Sequence, residues 1–296
     1  MDRIDFYFPK QDKIVLGLGF FDSLHLGHRE IVLNVKKVAN LCNAKSALFT
    51  FTNNFLNVLG VSNKLIYTFE ERTQLLEQTN IDVELYCEFD RAFASLDAQT
   101  FFDKLIKHNI VALVCGFDYT FSCQKANVQV LQQLCDKANI KLFVIEQYSV
   151  DNIKVSTTRI KQLISSCNIE EANKLLGSDF FISGQVVAGR GQGKKLGFPT
   201  ANLSVDNDKI LPQGVFIGES VLNDKTYRCI VNIGAAPTFN VYTNLVEVHI
   251  IGFNGDLYQK TLAVTLLKFI RETKIYKNPN ELKAQLMADS EYATKY

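Results

Sequence analysis

A chain of 296 residues is long enough for two domains, and its 47% hydrophobic and 21% charged residues are typical of a globular protein. The formal net charge of +1 gives no overall field for nucleic acid or an acidic membrane, so neither is expected as a partner. Seven cysteines without a CxxC pair, and a start without a signal-peptide pattern, favour reduced thiols and a cytoplasmic location. The longest near-apolar run, 14–21, is too short to span a bilayer.

The first half of the chain alternates short β-rich runs with helical patterns. The pattern predicts buried strands over 13–18, 46–51, 83–86, 111–114 and 142–145. It predicts helices over 31–42, 68–78, 97–107 and 126–138, the second with a capping box. Such alternation predicts a Rossmann-like α/β domain, a parallel sheet with helices on both faces. Ligands of these folds bind beyond the carboxyl ends of the strands.

From about residue 180 the pattern changes to short strands at close spacing. Strands are predicted over 215–217, 227–233, 246–250 and 262–266, followed by a helix over 280–288. Sequential short strands predict a small antiparallel β-barrel. The change of pattern predicts a domain of residues 1–166 followed by one of residues 167–296.

Two histidines follow the first predicted strand of the alternation, in the segment 19–28. They stand at the start of the next predicted helix, where backbone N–H groups already attract phosphate. His25 and His28 can therefore stabilise the charge that develops during nucleotidyl transfer. Two histidines at this spacing are also compatible with half of a metal site or with core packing. The dinucleotide-binding fingerprint does not fit, because its third glycine is missing after Gly17 and Gly19.

This GxFDxxHxGH segment resembles the HxGH nucleotidyltransferase superfamily, and specifically the FMN adenylyltransferase half of bacterial FAD synthetases. Segments 114–121 and 155–161 resemble two further motifs of that family. The resemblance implies that His25 and His28 are catalytic. It implies ATP and phosphate binding by Gly19, Phe20, Asp22, His25, His28, Ser156, Thr157, Thr158 and Arg159. It implies FMN or nucleotide binding by Gly116, Asp118 and Phe121.

A glycine-rich basic segment, 189–197, opens the second half. Its backbone N–H groups can approach phosphates closely, although Ala188 and Lys195 do not fit a Walker A loop. A flexible basic surface loop is the alternative interpretation. In the PTAN segment that follows, the hydroxyl of Thr200 and the amide of Asn202 can serve Mg²⁺ and its phosphates. The same segment is also compatible with ordinary turn chemistry.

Glu247 is the candidate general base of this half. In the predicted strand 246–250 the aliphatic residues share one face, and Glu247 and His249 share the other. A carboxylate on that face can accept a proton from an attacking hydroxyl. An exposed strand glutamate without a catalytic role is the alternative.

Four segments of this half together resemble the riboflavin kinase domain over nearly all of 170–290. They are LGFPTAN, NIGxxPTF over 232–239, ExHI…DLY over 247–258 and an FxRxExKF-like stretch over 269–276. The resemblance implies that Glu247 is the base for the ribityl 5′-hydroxyl of riboflavin, that Thr200 binds Mg²⁺–ATP and that Asn202 supports it. It implies ATP or flavin binding by Gly189, Gly191, Gly193, Lys195, Gly197, Pro199, Thr200, Asn202, Asn232 and Arg271.

Both resemblances together imply a bifunctional riboflavin kinase/FAD synthetase that uses riboflavin, FMN and ATP with Mg²⁺. One alternative is a kinase whose first half is catalytically weak or inactive. It is motivated by Asn53–Asn54 and Ser122–Cys123, which replace a proline-bearing and a glycine-rich segment of the family. A second alternative is a flavin- or nucleotide-binding module that senses and does not catalyse. The sequence does not indicate an oligomeric state.

Overall fold

The computed structural model describes residues 1–10, 12–189, 193, 196–235 and 244–296. These residues form two compact units, Met1–Thr157 and Thr158–Tyr296. The sequence-based boundary between residues 166 and 167 stays a prediction.

The N-terminal unit is built on a six-stranded sheet in which every neighbouring pair is parallel. The strand order is β1-β4-β3-β2-β5-β6. The strands are β1 (Asp2–Asp5), β2 (Ile14–Leu18), β3 (Lys45–Phe51), β4 (Val83–Cys87), β5 (Ile110–Gly116) and β6 (Lys141–Ile145). A short antiparallel hairpin follows, β7 (Ser149–Val150) with β8 (Ile153–Lys154).

Helices connect these strands, as the alternating pattern predicts. They are α1 (Leu26–Cys42), α2 (Phe55–Val58), α3 (Phe69–Gln78), α4 (Arg91–Ala94), α5 (Ala98–Leu105) and α6 (Val128–Lys137). The predicted capping box is confirmed: Thr68 accepts from the Glu71 N–H, and the Glu71 carboxylate accepts from the Thr68 N–H. Strand β2 lies inside the sheet and is buried along its whole length. The segment that follows it therefore starts near the middle of the sheet edge.

The C-terminal unit is a closed antiparallel barrel in the order β10-β13-β12-β11-β14-β9. The first helices of the unit are α7 (Thr157–Ser165), which spans the unit boundary, and α8 (Ile169–Leu176). The strands are β9 (Phe180–Val187), β10 (Ala201–Ser204), β11 (Gly214–Leu222), β12 (Lys225–Ala235), β13 (Asn244–Ile250) and β14 (Thr261–Arg271). Helix α9 (Pro279–Lys295) ends the chain, with Ala293 packed against buried residues of β11 and β12.

The predicted fold class, a Rossmann-like parallel sheet followed by a small antiparallel barrel, is confirmed. Strand β10 differs from the prediction, because the sequence indicates ligand-binding or turn residues in this segment and not a strand. Only four residues long, β10 pairs with both β9 and β13 and so closes the barrel. None of the helices in the described part of the chain combines the length and the apolar character that crossing a bilayer requires.

Candidate active sites

The turn after β2 is held in a strained but well-anchored shape. Phe21 and Leu24 have positive φ angles of 52° and 44°, and both side chains are buried in compensation. Asp22 is 3% exposed, and its Oδ1 accepts a hydrogen bond of 2.8 Å from the backbone N–H of Ile66. The carboxylate thus fixes the turn against a neighbouring segment. Its predicted contact with ATP stays a prediction.

The two histidines form one unit at the start of α1. His25 is the N-cap, and its Nδ1 accepts a hydrogen bond of 3.1 Å from the backbone N–H of His28. The two rings stack with centroids 3.7 Å apart and planes 12° from parallel. A Cβ atom on Gly27 would lie 3.2 Å from Cε1 of His25, so glycine gives this ring its place over the first turn.

Both imidazoles are neutral at pH 7. Burial lowers the pKa of His25 to about 4, and burial followed by the charge of His25 holds the pKa of His28 well below its usual range. Because Nδ1 of His25 accepts, its ring proton sits on Nε2, which is therefore a donor. Nδ1 of His28 is buried and has no hydrogen-bond partner among the described residues. The pair can thus offer ring donors to phosphate oxygens without a charge of its own.

A charged residue of the loop after β5 affects the pKa of His25. The carboxylate of Asp118 raises the pKa of His25, against the larger effect of burial, and pairs with Lys154 at 3.7 Å. Gly116 ends β5 and lies where this loop begins. Phe121 is 7% exposed and packs on Phe101 with ring centroids 5.6 Å apart. Since this ring belongs to the core, its predicted contact with FMN stays a prediction.

Aromatic rings gather at the carboxyl ends of β2, β3 and β4. Phe20 meets Phe55 edge-on at 4.9 Å, and Phe51 meets Phe89 edge-on at 4.9 Å. Asn53, one of the residues behind the kinase-only alternative, donates to the Phe89 carbonyl and accepts from the Phe89 N–H. The segment that lacks the family's prolines is therefore ordered by paired hydrogen bonds.

The buried side chain of Arg72 contacts this edge of the sheet. Its side chain is 1% exposed, and its guanidinium donates to the Phe20 carbonyl at 2.8 Å, Thr50 Oγ1 at 2.6 Å and the Phe51 carbonyl at 2.7 Å. Its Cζ lies 4.5 Å from the centroid of the Phe20 ring. Burial lowers the pKa of Arg72 to about 10, so the group remains charged at pH 7. One buried cation thus joins the ends of β2 and β3.

Replacing Arg72 with Met is expected to destabilise the N-terminal unit by about 3 kcal/mol, because buried acceptors lose their charged donor. Arg72→Lys keeps the charge but loses the planar fork, so its loss should be smaller. The measurement is the midpoint temperature of inactivation, followed separately for the reactions of the two units. A shift of both reactions by equal amounts would contradict a role confined to this sheet.

Lowering the pH from about 6.5 to about 4 is expected to destabilise the N-terminal unit, with roughly 3 kcal/mol lost through His25. Between these pH values the imidazole of the unfolded chain is protonated, whereas the buried ring of the folded chain is not. The free energy of unfolding therefore falls as the pH is lowered. The stability should therefore be full above about pH 6.5. The measurement is the denaturant midpoint, followed by circular dichroism at several pH values. His25→Asn keeps an N-cap oxygen and should give a shallower dependence; an unchanged slope would contradict this assignment.

The Ser156–Arg159 segment lies at a helix start, as its hydroxyls indicate. Helix α7 begins at Thr157, and the boundary between the two compact units falls between Thr157 and Thr158. Ser156 and Thr157 are half-buried, and Thr158 is exposed. Their predicted binding of ATP phosphates stays a prediction.

In the barrel, three predicted site residues lie side by side on adjacent strands. Asn202 of β10 and Asn232 of β12 are both register partners of Glu247 on β13. Directly paired residues point to the same face of a sheet, and here that face is opposite the fully buried Val246 and Val248. Asn232 Nδ2 donates to Glu247 Oε2 at 3.4 Å. The carboxylate is thus flanked by two amides.

A further hydrogen bond extends this row. Thr273, which follows β14, donates from Oγ1 to Asn232 Oδ1 at 3.3 Å. Because that oxygen is occupied, the amide of Asn232 is oriented with its NH₂ toward Glu247. The hydrogen bonds from Thr273 through Asn232 hold Oε2 of Glu247, and within the described residues Oε1 accepts no hydrogen bond.

The glycine-rich segment begins directly over Asn202. A Cβ atom on Gly189 would overlap the Asn202 side-chain amide, so a larger residue at this position would force that side chain to move. Gly193 accepts from the Phe198 N–H at 2.8 Å, and Gly197 has a φ of 88°, a conformation that favours glycine. The predicted site residues Gly191 and Lys195 lie outside the described residues. Pro199 and Thr200 are exposed just before β10.

Arg271 has a partner in the last helix. Its Nη2 lies 2.7 Å from Oδ2 of Asp289, a carboxylate that is 2% exposed and also accepts from Gln285 at 2.8 Å. This pairing ties the end of β14 to α9. The predicted contact of Arg271 with ATP or flavin stays a prediction.

Sequence reasoning did not find Arg72, Lys154 or Thr273. A lone arginine in a helix, a lysine in a hairpin and a threonine after a strand carry no spacing that singles them out, and only the fold brings them to the sites. The alternative of a metal half-site at His25 and His28 gains no support. Among the described residues, no group of three histidine, cysteine, aspartate or glutamate side chains could hold a metal ion.

A parallel sheet with a neutral histidine pair at a helix start, and a barrel with a carboxylate between two amides, fit an enzyme that transfers groups from a nucleotide. Comparison with known proteins gives the family. A family model of FAD synthetase matches residues 8–159, and one of riboflavin kinase matches residues 176–296. The chain therefore belongs to the family of bifunctional riboflavin kinase/FMN adenylyltransferases.

Curated relatives with that description match along nearly the whole chain. One from Buchnera aphidicola subsp. Schizaphis graminum is 33% identical over 95% of this chain and 93% of its own length. One from Bacillus subtilis is 31% identical over 97% of this chain and 93% of its own length. A solved structure described as a macrolide-efflux protein from Streptococcus pneumoniae is 30% identical, with a TM-score of 0.90 and full coverage of both chains.

Both enzymatic halves are thus present, and the alternative of a kinase with an inactive first half is not favoured. The kinase converts riboflavin and ATP to FMN, and the adenylyltransferase converts FMN and ATP to FAD. These activities define riboflavin, FMN and ATP as substrates. The sensing module, which would not need Glu247, is not favoured either.

Proposed function

We propose that Glu247 is the general base of the riboflavin kinase reaction. Its carboxylate takes the proton of the ribityl 5′-hydroxyl while that oxygen attacks the γ-phosphorus of ATP, and ADP leaves. The observation that carries this assignment is the row of Asn202, Glu247 and Asn232 on three adjacent strands. A half-buried carboxylate held by an amide on one oxygen keeps its other oxygen for the hydroxyl.

We propose that this site works with Mg²⁺ bound to ATP and that Thr200 contributes its hydroxyl to the metal. Mg²⁺ prefers oxygen ligands and usually keeps waters and substrate phosphates in its shell, so one protein hydroxyl suits it. Thr200 is exposed and lies beside Gly193, and Gly189 approaches the side chain of Asn202. When bound, the metal neutralises charge on the transferred phosphoryl group.

In the N-terminal unit, we propose that His25 and His28 stabilise the phosphates of ATP during adenylyl transfer. A phosphate oxygen of FMN attacks the α-phosphorus, the bond to the β-phosphate oxygen breaks, and pyrophosphate leaves. The ring N–H of His25 and the backbone N–H groups at the start of α1 would face charge that grows on the way to the transition state. A neutral imidazole with its proton on Nε2 can donate one hydrogen bond to a phosphate oxygen.

We also propose that the enzyme acts in the cytoplasm. All seven cysteines are free thiols in the structure. Burial raises the pKa of Cys87, Cys115 and Cys229 to about 12, so these three thiols stay protonated and unreactive. Such a set is typical of a reducing compartment.

The experiment is a chromatographic assay of the purified protein with riboflavin, ATP and Mg²⁺, and a second assay that starts from FMN. We expect FMN and FAD in the first and FAD in the second, and loss of all products when a chelator removes the metal. Added Mg²⁺ should restore both reactions. FMN alone in the first assay would contradict the assignment of the histidines, and product formation in excess chelator would contradict the metal.

A further inference from the structure

A histidine outside the predicted site joins the strand of the general base to the loop of Thr200. Nδ1 of His249 lies 2.8 Å from the backbone carbonyl oxygen of Pro199. A carbonyl only accepts, so the ring nitrogen is the donor and carries the proton. Since Thr200 follows Pro199 directly, this hydrogen bond holds the peptide that carries the proposed metal-binding hydroxyl.

A second contact holds the same loop. The ring of Phe198 meets His249 edge-on, with centroids 5.3 Å apart and planes at 64°. Phe198 also donates its backbone N–H to the Gly193 carbonyl at 2.8 Å, which extends the hold to the glycine-rich segment. The imidazole thus contacts the two residues that precede Thr200.

His249 lies on the same strand, β13, as the proposed base Glu247. It stands two residues after Glu247, so both side chains leave the same face of the strand. The strand is held on both sides, by β10 and by β12. The spacing between the proposed base and the Thr200 loop is therefore fixed through one hydrogen bond and one ring contact.

We propose that His249 is a positioning residue of the kinase site that holds the Pro199–Thr200 peptide in place for Mg²⁺–ATP. It touches neither the transferred phosphoryl group nor the hydroxyl, and it acts through the loop. The proposal rests on the proposed function of Thr200 and Glu247. It predicts a defect in binding Mg²⁺–ATP with little change in the binding of riboflavin.

The test compares His249→Asn with His249→Leu. The two side chains have the same branching, and the amide nitrogen of asparagine stands where Nδ1 of histidine does, but only asparagine can donate to the Pro199 carbonyl. We expect His249→Leu to raise the KM for Mg²⁺–ATP about tenfold, which is the effect of one lost hydrogen bond. His249→Asn should stay within about twofold of the parent, and the KM for riboflavin should change little in both.

The KM and the maximal rate for riboflavin phosphorylation, measured on the same preparations, report whether the barrel of each variant is folded, and adenylyl transfer from FMN, the reaction of the other unit, should not change. Equal effects of His249→Asn and His249→Leu would overturn the proposal, as would an unchanged KM for Mg²⁺–ATP in His249→Leu. A fall in kcat alone would also overturn it. Glu247→Gln is assayed in parallel: if it keeps its kinase activity the proposed function fails, whereas an inactive Glu247→Gln beside an unaffected His249→Leu refutes only the positioning role.

Discussion

Glu247→Gln is expected to lower the rate of FMN formation by about 10²–10⁴-fold, the usual contribution of a general base. Glutamine keeps the shape of the side chain and can still meet Asn232, but it cannot take the proton of the ribityl hydroxyl. The measurement is kcat for riboflavin phosphorylation at saturating Mg²⁺–ATP. Because the other unit is unchanged, FAD formation from FMN should continue at the parent rate.

The matched control is Glu219→Gln, a second barrel glutamate on β11 that pairs with Arg228 at 2.8 Å, away from the row of amides. It should cost little kinase activity, since an ion pair at a partly exposed site contributes little. Equal kinase activity in Glu247→Gln and the parent would remove Glu247 from the mechanism. Equal losses in both variants would point to barrel stability instead of proton transfer.

His28→Ala is expected to lower adenylyl transfer by about 10²–10³-fold, the usual effect of removing one preorganised donor at developing charge. The ring stacks on His25, and its buried Nδ1 has no hydrogen-bond partner in the described part of the chain. The measurement is the rate of FAD and pyrophosphate formation from FMN and ATP. Kinase activity on the same preparation should not change.

His108→Ala is the matched control for this variant. His108 is also buried in the N-terminal unit, at 3% exposure, but its Nε2 is already hydrogen-bonded to the Phe6 carbonyl at 2.8 Å. Its loss should lower the stability of the unit and leave the rate of the folded enzyme intact. If His108→Ala slowed adenylyl transfer as strongly as His28→Ala, the defect would be one of folding.

Much of the fold was predictable because the two halves have different hydrophobic periods. The central strands of the sheet are nearly continuous apolar runs, and their ends agree with the predicted ranges within a few residues. Strand β10 was not predictable, because its sequence Ala201–Ser204 has no alternation and its pairing depends on strands far away in the chain. Strand β1 was not predicted either, since only Ile4 of its four residues is buried and the segment has no apolar pattern.

The site was predictable only where residue types carry chemistry at a fixed spacing. The histidine pair and the PTAN segment have such spacing, whereas the residues that hold them in place do not. Arg72 and Thr273 are placed by tertiary contacts, so no local pattern marks them. The N-cap role of His25 also went unpredicted, since serine, threonine and aspartate usually occupy that position.

The close approach of Gly189 to Asn202 has a consequence for how this site can vary. A side chain on Gly189 needs the volume that the Asn202 amide already fills. The two positions are therefore epistatic: a change at residue 189 is severe while asparagine is present and mild once residue 202 is small. Shortening Asn202 would relieve this overlap but would also remove one of the two amides that flank Glu247. Libraries selected for kinase activity should therefore retain Gly189 and Asn202 together.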